Sequence, residues 1–333
     1  MSDGRIICMK TLKFDFAGVK IFIQSPSIRV LDFVDEYFAH HKAEFSQPDA
    51  QITLWEKKIF SPIPTTARLA LRYFGLKIFF EQGWTYFTDF YSYLILNPEA
   101  REAFGYISSE TIEEGLDFFA GIVLTFLFYE ILRHRKRFFL HSSAVISSEN
   151  KIFLFPASSG QGKTTLTVYL LQNGYKFLSD DTIFILPNSD QLVFSGLKKP
   201  VHLPIELAQK FSNFDIIAQS PELKGLRKKI IDLEKIFPQA QIKKASGDYS
   251  IIFLEKTDKP KSYLEPISKA EALVKLLEQS PFVFINPALA QSHLKTFSKL
   301  VNSAKKLWQL KSARDWLENP ILLKNLLERA GKE

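Results

Sequence analysis

The sequence predicts an α/β protein with a smaller mixed α/β N-terminal domain over residues 1–113 and a second domain over residues 114–333, whose C-terminal part, about the last 70 residues, is mostly helical. The 333 residues suffice for about two domains of roughly 150 residues each. From Lys151 onward, a strand, a glycine-rich loop, a helix, a glycine and a further strand follow one another, which is typical of α/β sheets. No internal repeat or low-complexity tract is visible, so solenoid and collagen-like folds are excluded.

Short apolar segments separated by turn residues indicate strands in the N-terminal domain. Leu12–Phe16 and Val19–Ile23 alternate around Gly18 like a hairpin, and a helix is expected from Ser27 to about His41. Further features are a strand around Ile52 and Leu54, an aromatic strand from Trp84 to Leu96 and a polar domain boundary over residues 97–115.

A buried helix is expected over residues 116–133. Its most apolar part, Phe118 to Leu132, has 15 residues and includes Glu130, whereas a membrane span needs about 20 predominantly apolar residues. We therefore predict no membrane span. The basic segment Arg133–Arg137 is interpreted as a solvated helix C-terminus, where cations complement the helix dipole.

Composition excludes several classes of protein. With 46% hydrophobic and 24% charged residues the chain is not a disordered polypeptide, and Cys8, the only cysteine, excludes intrachain disulfides and Cys-based zinc sites. Met1–Lys10 lacks a long apolar stretch and a small-residue cleavage site, so we expect a cytoplasmic protein. The net charge of +7 suits anionic partners, but no basic arm or aromatic–basic repeat indicates nucleic-acid binding.

The most informative segment is a phosphate-loop pattern. Ala157–Thr164 (ASSGQGKT) fits a Walker A loop with Ala in place of the first Gly. Glycines at 160 and 162 allow backbone N–H groups to turn toward phosphate oxygens, and the helix beginning near Lys163 adds its positive N-terminal end. In such loops the Lys163 side chain reaches the β- and γ-phosphates, and the Thr164 hydroxyl ligates Mg²⁺.

The flanking segments fit the same motif. The apolar strand Ile152–Phe155 precedes the loop, a helix from about Lys163 to Gln172 follows it, and Gly174 stands where a helix C-cap is expected. Ala157 matters only if its position needs a positive φ. The predicted nucleotide-binding residues are Ser158, Ser159, Gly160, Gln161, Gly162, Lys163, Thr164 and Thr165.

Two carboxylates follow the next predicted strand. Tyr175–Ser179 ends in Asp180 and Asp181, and Asp180 comes seventeen residues after Lys163. A strand adjacent to the phosphate-loop strand would carry both to the C-terminal edge of the sheet, where ligands bind in α/β folds. One carboxylate beside a γ-phosphate holds Mg²⁺ while the other accepts a proton from an attacking hydroxyl; the competing interpretation is a solvated turn. His141 precedes the loop, and spacing alone leaves its role open.

The sequence has four motifs in a particular order: Leu140-His141, Ala157–Thr164, Gly174 and Asp180-Asp181. In this order it resembles the catalytic domain of HPr kinase/phosphorylase and its relatives, P-loop kinases that are also similar to phosphoenolpyruvate carboxykinase. The match covers about Phe138 to Leu186 and extends loosely to Glu255. The resemblance therefore implies a P-loop kinase domain of the HPr-kinase C-terminal type after the N-terminal domain.

The resemblance also implies an activity, a kinase that uses ATP and Mg²⁺. Asp181 would deprotonate a serine or threonine hydroxyl of a peptide or protein, with Lys163 at the phosphates and His141 supporting the base. Asp180 would hold Mg²⁺ together with Thr164.

A further acidic residue of the family falls at about Glu206, which is thereby implied as a metal ligand. The Glu-Ile-Arg-Gly-Leu-Gly type of stretch found in the true HPr enzymes is absent. The chain is more similar to stand-alone HPr-kinase-related proteins, some of which phosphorylate a precursor peptide. The related enzymes oligomerise, so a homo-oligomer is one expectation.

Two alternatives stay open at this level. One is a kinase of a small-molecule hydroxyl on the same fold, because its chemistry would be identical. The other is a P-loop ATPase or nucleotide switch, for which Ile251–Glu255 is the single Walker B-like segment, although a core strand explains that segment more simply. The acceptor, the choice between ATP and GTP, any phosphorolysis activity and the role of the N-terminal domain stay open as well.

Overall fold

The computed structural model describes residues 8–57, 63–89, 91–188, 191–209, 211, 214–222, 227–313 and 315–332. The fold is mixed α/β, as predicted. The chain divides into two compact units, one made of Met1–Arg137 with Pro281–His293 and the other of Phe138–Ser280 with Leu294–Glu333.

The first unit is built on one mixed sheet. In the described residues its strands are β1 (Lys10–Phe16), β2 (Val19–Ser25), β3 (Ala50–Glu56), β4 (Arg68–Tyr73), β5 (Leu76–Glu81), β6 (Trp84–Thr88), β7 (Ser92–Leu96) and β8 (Glu102–Ile107). The spatial order is β1-β2-β3-β8-β7-β6-β5-β4. The helices are α1 (Ile28–Tyr37), α2 (Leu116–Phe118) and α3 (Thr125–His134), with π-helical stretches at Thr111–Gly115 and Phe119–Leu124 around α2.

The local predictions for this unit hold with two corrections. The hairpin is confirmed as the antiparallel pair β1 and β2, and α1 follows Ser27. The segment predicted as one strand from Trp84 to Leu96 is two, the antiparallel pair β6 and β7. The polar segment 97–115 contains β8, which pairs with β3 and β7 in the middle of the sheet. The first two buried positions of β8 are Ala103 and Gly105. Because alanine and glycine are small residues, they give a weak hydrophobic signal in the sequence.

The buried helix is confirmed, but the interpretation of its basic end is wrong. Arg133 is 1% exposed and donates from Nη1 to Glu130 Oε2 at 2.8 Å, and Glu130 is itself fully buried. The guanidinium also donates to the carbonyls of Phe282 and Val283 at 3.1 and 2.8 Å. The arginine is thus a buried anchor. None of the helices within the described ranges has the length and apolar composition that a membrane crossing requires.

The second unit contains the sheet that carries the predicted site. In the described residues its strands are β9 (Phe138–Ile146), β10 (Ile152–Pro156), β11 (Lys176–Ser179), β12 (Thr182–Pro187), β13 (Leu192–Leu197), β14 (Val201–Pro204), β15 (Lys228–Ile231), β16 (Lys244–Ser246), β17 (Tyr249–Lys256), β18 (Tyr263–Pro266) and β19 (Lys306–Ser312). Its helices are α4 (Lys163–Gln172), α5 (Ile205–Ala208), α6 (Phe214–Ala218), α7 (Leu233–Ile236), α8 (Lys269–Glu278), α10 (Asp315–Glu318) and α11 (Pro320–Lys332), while α9 (Pro287–Ser303) begins in the first unit and continues in the second.

The main sheet of this unit runs β16-β13-β12-β9-β10-β17-β19-β18, with β11 also paired to β9; β14 and β15 form a separate pair. The strand β19 lies in the C-terminal part that the sequence predicts to be mostly helical, and it runs parallel to β17. A buried cluster packs α4 and α11 on the sheet, for example Leu170 and Leu323 with Phe153.

The strand β9 separates the phosphate-loop strand from the strand before the two aspartates. It pairs antiparallel with β10 on one side and with β11 and then β12 on the other. The expectation that β11 lies beside β10 is therefore wrong. Because β9 is antiparallel to both, β10 and β11 still run in the same direction, and their C-terminal ends reach the same part of the sheet.

Candidate active site

The phosphate loop and the two aspartates meet at one position of β9. On one side Ser142 is paired with Pro156, the last residue before the loop. On the other side the Ser142 N–H donates to the Asp181 carbonyl at 3.0 Å, in the break between β11 and β12. The neighbouring residue His141 is opposite Thr182, the first residue of β12. Two neighbouring residues of β9 thus bring the loop, the histidine and both aspartates together.

The loop backbone explains which of its residues must be glycine. Gly160 and Gly162 have φ values of 85° and 99°, in the left-handed region that side chains disfavour. A Cβ at either position would meet no atom within 4 Å, so the backbone conformation alone requires glycine. Ala157 has no positive φ and is 2% exposed, which accounts for alanine at the first position of the motif.

Two side chains fasten the loop to neighbouring elements. Gln161 accepts a hydrogen bond at 2.9 Å from the backbone N–H of Lys256, at the end of β17. The Ser158 hydroxyl accepts one at 3.1 Å from the amide of Gln279, which caps the C-terminus of α8. The loop therefore keeps its shape through contacts on both sides.

The Lys163 ammonium is enclosed by its own loop. The residue is 8% exposed, and its Nζ donates to the Ala157 carbonyl at 2.5 Å and the Ser158 carbonyl at 3.4 Å. It also lies 2.8 Å from His141 Nε2. Burial lowers the pKa of Lys163, while the nearby carboxylates of Asp181 and Asp180 oppose that shift.

His141 connects this lysine to Asp181. Its Nδ1 lies 3.3 Å from Asp181 Oδ1, on the other side of the ring from Lys163. Burial lowers the pKa of His141; Asp181 opposes the shift, and the charges of Lys163 and Lys199 add to it. The imidazole is thus neutral at pH 7. Since an ammonium has only donors, the partners assign the tautomer: Nε2 accepts from Lys163, and Nδ1–H points to Asp181.

The two carboxylate oxygens of Asp180 differ in their contacts, and one of them could bind a metal ion. Its Oδ2 accepts a hydrogen bond of 2.6 Å from the Thr164 hydroxyl, whereas its buried Oδ1 has no hydrogen-bond partner among the described residues. Burial raises the pKa of Asp180, and the nearby hydroxyls of Thr164 and Thr167 only partly offset this. A carboxylate and a hydroxyl are the hard oxygen donors that Mg²⁺ prefers, so the two residues fit that ion.

Asp181 has the opposite electrostatic environment. Its Oδ2 lies 2.9 Å from Lys199 Nζ and accepts a 3.0 Å hydrogen bond from the Thr182 hydroxyl. Burial would raise its pKa, but the charge of Lys199, with His141 and the Lys163 ammonium close by, lowers the pKa of Asp181 well below its ordinary value. The surroundings thus shift the pKa values of the two adjacent carboxylates in opposite directions, a pattern associated with functional sites.

The corner that presents the two aspartates is fixed by a serine and a glycine. The Ser179 hydroxyl accepts hydrogen bonds of 3.3 Å from the N–H groups of Asp181 and Thr182, and donates to the Leu197 carbonyl at 2.7 Å. Gly196 lies against the backbone of Leu178, where a Cβ would collide with the carbonyl group. Glycine at 196 therefore allows β13 to approach the strand that ends at the site.

The structure assembles most of the predicted side chains. Lys163, Thr164, His141, Asp180 and Asp181 form one connected set, as the contacts above show. Of the other predicted nucleotide-binding residues, Ser159 is exposed in the loop, and Thr165 is 6% exposed in the first turn of α4.

Glu206 is the predicted residue that the structure keeps apart. It lies on α5, its carboxylate forms an ion pair of 3.1 Å with Arg227, and 57% of its side chain is exposed. Such an exposed ion pair is typical of a solvated charge on a helix. Glu206 is therefore not part of the pair of metal-binding candidates Thr164 and Asp180.

Lys199 is a site residue that the sequence does not reveal by itself. It reaches Asp181 because β12 and β13 are antiparallel, with Thr182 opposite Leu197, so that the end of β13 returns to the start of β12. Two apolar strands around the turn residues Pro187-Asn188 were the available signal. A hairpin predicted there would have placed Lys199 beside Asp181.

A small cleft opens beside this set. Both aspartates line it, together with Lys198, Lys199 and the apolar side chains of Phe177 and Leu197. Lys198 lies 3.8 Å from Glu234, so the two successive lysines have different carboxylate partners.

Comparisons with known proteins add little to this geometry. No protein-family model and no curated protein sequence matches the chain. Among solved structures, the HPr(Ser) kinase/phosphatase from Coxiella burnetii is similar at 15% identity, over 57% of this chain and 94% of that chain, with a TM-score of 0.30. A likeness of this size does not establish a shared activity, and the side chains of the site carry the functional inference.

Proposed function

We propose that the protein is a kinase that uses ATP and Mg²⁺ to transfer the γ-phosphate to a serine or threonine hydroxyl of a peptide or protein. The observation that supports this most is the contrast between two adjacent carboxylates beside a phosphate-type loop. Asp180 has a buried oxygen without a hydrogen-bond partner among the described residues, while Asp181 accepts hydrogen bonds from Lys199 and Thr182, lies 3.3 Å from His141 and is kept ionised.

Each half of this pair suits one requirement of phosphoryl transfer. Asp180 and Thr164 offer oxygen ligands to Mg²⁺, which when bound would neutralise negative charge on the phosphates. The ionised Asp181 can orient a hydroxyl and accept its proton, because its side chain keeps 29% of its surface exposed at the cleft. A carboxylate in this position can orient an alcohol hydroxyl or a water molecule, and the experiment below separates these acceptors.

The transfer itself conserves atoms and charge in a simple way. The acceptor oxygen forms a bond to the γ-phosphorus, the bond from that phosphorus to the β–γ bridging oxygen breaks, and ADP leaves. The hydroxyl proton passes to Asp181. Lys163 supplies a positive charge at the transferring phosphate, and His141 keeps its Nδ1–H toward Asp181.

The decisive experiment is intact-mass spectrometry of acceptor candidates incubated with ATP and Mg²⁺. The candidates are HPr, the peptides and proteins encoded beside this gene, and a pool of synthetic peptides with single serine or threonine residues. We expect an added mass of about 80 Da on one acceptor, the mass of a phosphoryl group. Asp181→Asn should bind ATP normally but lose transfer by about 10²–10⁴-fold, the usual contribution of a positioned base.

A matched control is Asp248→Asn, which changes an exposed carboxylate that pairs with Lys305. It should transfer at the wild-type rate. If wild type binds MgATP but phosphorylates none of the candidates, hydrolysis in the absence of an acceptor would indicate a nucleotide switch. Phosphorylation of a small-molecule alcohol would indicate the other alternative. Either result would contradict the proposed acceptor class.

A further inference from the structure

The oxygens of Asp181 are occupied unequally. An ionised carboxylate has about four lone-pair directions, two on each oxygen. Oδ2 receives two donors, Lys199 Nζ at 2.9 Å and Thr182 Oγ1 at 3.0 Å. Oδ1 faces one donor, the Nδ1 of His141, at the longer distance of 3.3 Å. One direction at Oδ1 is therefore left for a further donor.

Lys199 is well placed to fix this arrangement. Only 15% of its side chain is exposed, and it follows β13, whose last residue Leu197 is opposite Thr182. Its ammonium approaches Asp181 on Oδ2, while His141 approaches on Oδ1. The carboxylate is thus held by donors on both oxygens, and rotation about its χ2 angle would break several contacts at once.

We propose that Lys199 is a positioning residue for Asp181: together with Thr182 it occupies Oδ2 and leaves Oδ1 as the atom that receives the acceptor's hydroxyl proton. This inference rests on the proposed kinase function and goes beyond it by naming the accepting atom and the residue that orients it. The row of contacts from Lys163 through His141 and Asp181 to Lys199 has an ammonium group at each end. The contact between Lys199 and Asp181 is therefore charge-assisted, and the contact between His141 and Asp181 lies next to the Lys163 charge.

The first test needs no acceptor. In protein with ¹⁵N-labelled histidine, the His141 Nδ1–H resonance reports its contact with Asp181 Oδ1. Lys199→Met retains the length of the side chain and removes its donors, so the carboxylate should rotate and the resonance should move. Lys199→Arg should restore the wild-type position. Lys176→Met, which removes an exposed lysine from β11, should leave the resonance unchanged.

The second test measures transfer from MgATP to the synthetic serine and threonine peptide pool. Lys199→Met should lower kcat by about 10- to 100-fold, as a misplaced reacting group does, with the KM for ATP unchanged. Lys199→Arg should recover most of the loss, and Lys176→Met should match wild type. A structural role alone would raise the KM for ATP or lower the folded fraction, and arginine would not rescue kcat selectively.

The two tests separate the two claims. If the His141 resonance and kcat are both unchanged in Lys199→Met, Lys199 does not position Asp181 and the inference is overturned. If wild type phosphorylates nothing in the pool, the kinase proposal fails and the role of Oδ1 fails with it. The His141 resonance would then still decide whether Lys199 orients the carboxylate.

Discussion

Lys163 Nζ lies 2.8 Å from His141 Nε2, so the lysine expected at the phosphates is bound to the histidine that faces Asp181. The same ammonium donates to the carbonyls of Ala157 and Ser158. An ammonium has three donors, and all three are engaged in this structure. A phosphate can therefore bind Lys163 only by replacing one of these partners.

We predict that phosphate binding separates Lys163 from His141 and protonates the histidine. Burial and the Lys163 charge lower the pKa of His141, so moving that charge away and bringing in anionic phosphate should raise it. In ¹⁵N spectra, pyrophosphate or ADP should shift Nε2 and move the titration of His141 to higher pH. Calorimetry at pH 6.5 in two buffers of different ionisation enthalpy should show proton uptake.

The matched control is Lys163→Met, in which the Nε2 contact is already absent. This variant should have a higher His141 pKa before any ligand is added, and pyrophosphate should change it little. An unchanged Nε2 resonance in wild-type protein saturated with ADP would show that Lys163 stays on His141 when the loop is filled.

Asp180 should destabilise the metal-free fold. Burial raises its pKa above the ordinary 3.8, so the folded state binds the proton more tightly than the unfolded chain. The stability that this proton contributes is lost as the pH rises from about 4 through the folded pKa, so above that range the buried carboxyl group destabilises the fold relative to the unfolded chain. Asp180→Asn should therefore raise the Tm by about 2–4 °C without Mg²⁺, the shift expected for about 1 kcal/mol.

The same variant should lose the response to the metal. MgADP should raise the Tm of wild type, because a ligand that binds only the folded state stabilises it. Asp180→Asn should show little of this gain, while the exposed variant Asp248→Asn should behave like wild type in both measurements. A full MgADP shift in Asp180→Asn would remove Asp180 from the metal site.

The loop glycines should differ from Ala157 in their effect on binding. Gly162→Ala forces a side chain into a backbone at φ 99° and should cost about 1–2 kcal/mol of stability as well as nucleotide affinity, because the N–H groups would turn. Ala157→Gly should cost about 0.5–1 kcal/mol through chain entropy but leave affinity unchanged. Calorimetric titration with ADP and urea unfolding measure the two quantities.

Gly174→Ala is the control for backbone strain alone. Gly174 has a φ of 82° with no atom within 4 Å of an added Cβ, and it follows the C-terminus of α4, away from the loop. It should lose as much stability as Gly162→Ala while keeping wild-type affinity for ADP. Equal loss of affinity in both variants would mean that the loop acts through stability rather than through its N–H groups.

What the sequence could predict depends on how local each feature is. The loop, α4 and Gly174 are contiguous, and their glycine positions and flanking apolar segments determine them, so the structure has them where they were expected. The Lys199–Asp181 contact depends on strand pairing across the β12–β13 hairpin, which composition does not reveal. The same holds for Glu206, which the resemblance implied as a metal ligand although α5 carries it to an exposed pair with Arg227.

Charged residues were the hardest to interpret from the sequence. Arg133 belongs to a segment that is typical of a solvated helix end, because most basic clusters are exposed. Its burial depends on Glu130 one turn earlier and on the carbonyls of Phe282 and Val283, about 150 residues later in the chain. No local pattern contains that partner, and the strand β8 was similarly hidden by its small inward residues.

The Glu130–Arg133 pair gives the last prediction, which concerns stability. Both side chains are fully buried, and burial lowers the pKa of Arg133 while Glu130 opposes that shift. Replacing one partner leaves the other charge uncompensated, so Arg133→Met and Glu130→Gln should each cost about 3–5 kcal/mol. The double variant should cost less than the sum, since it leaves no unpaired charge, although two carbonyls lose their donor. Urea unfolding of the four proteins gives this double-mutant cycle. The control is Glu44→Gln, which breaks the exposed pair with Lys13 and should cost under about 1 kcal/mol. Additive losses in the Glu130–Arg133 cycle would show that the two buried charges do not stabilise each other.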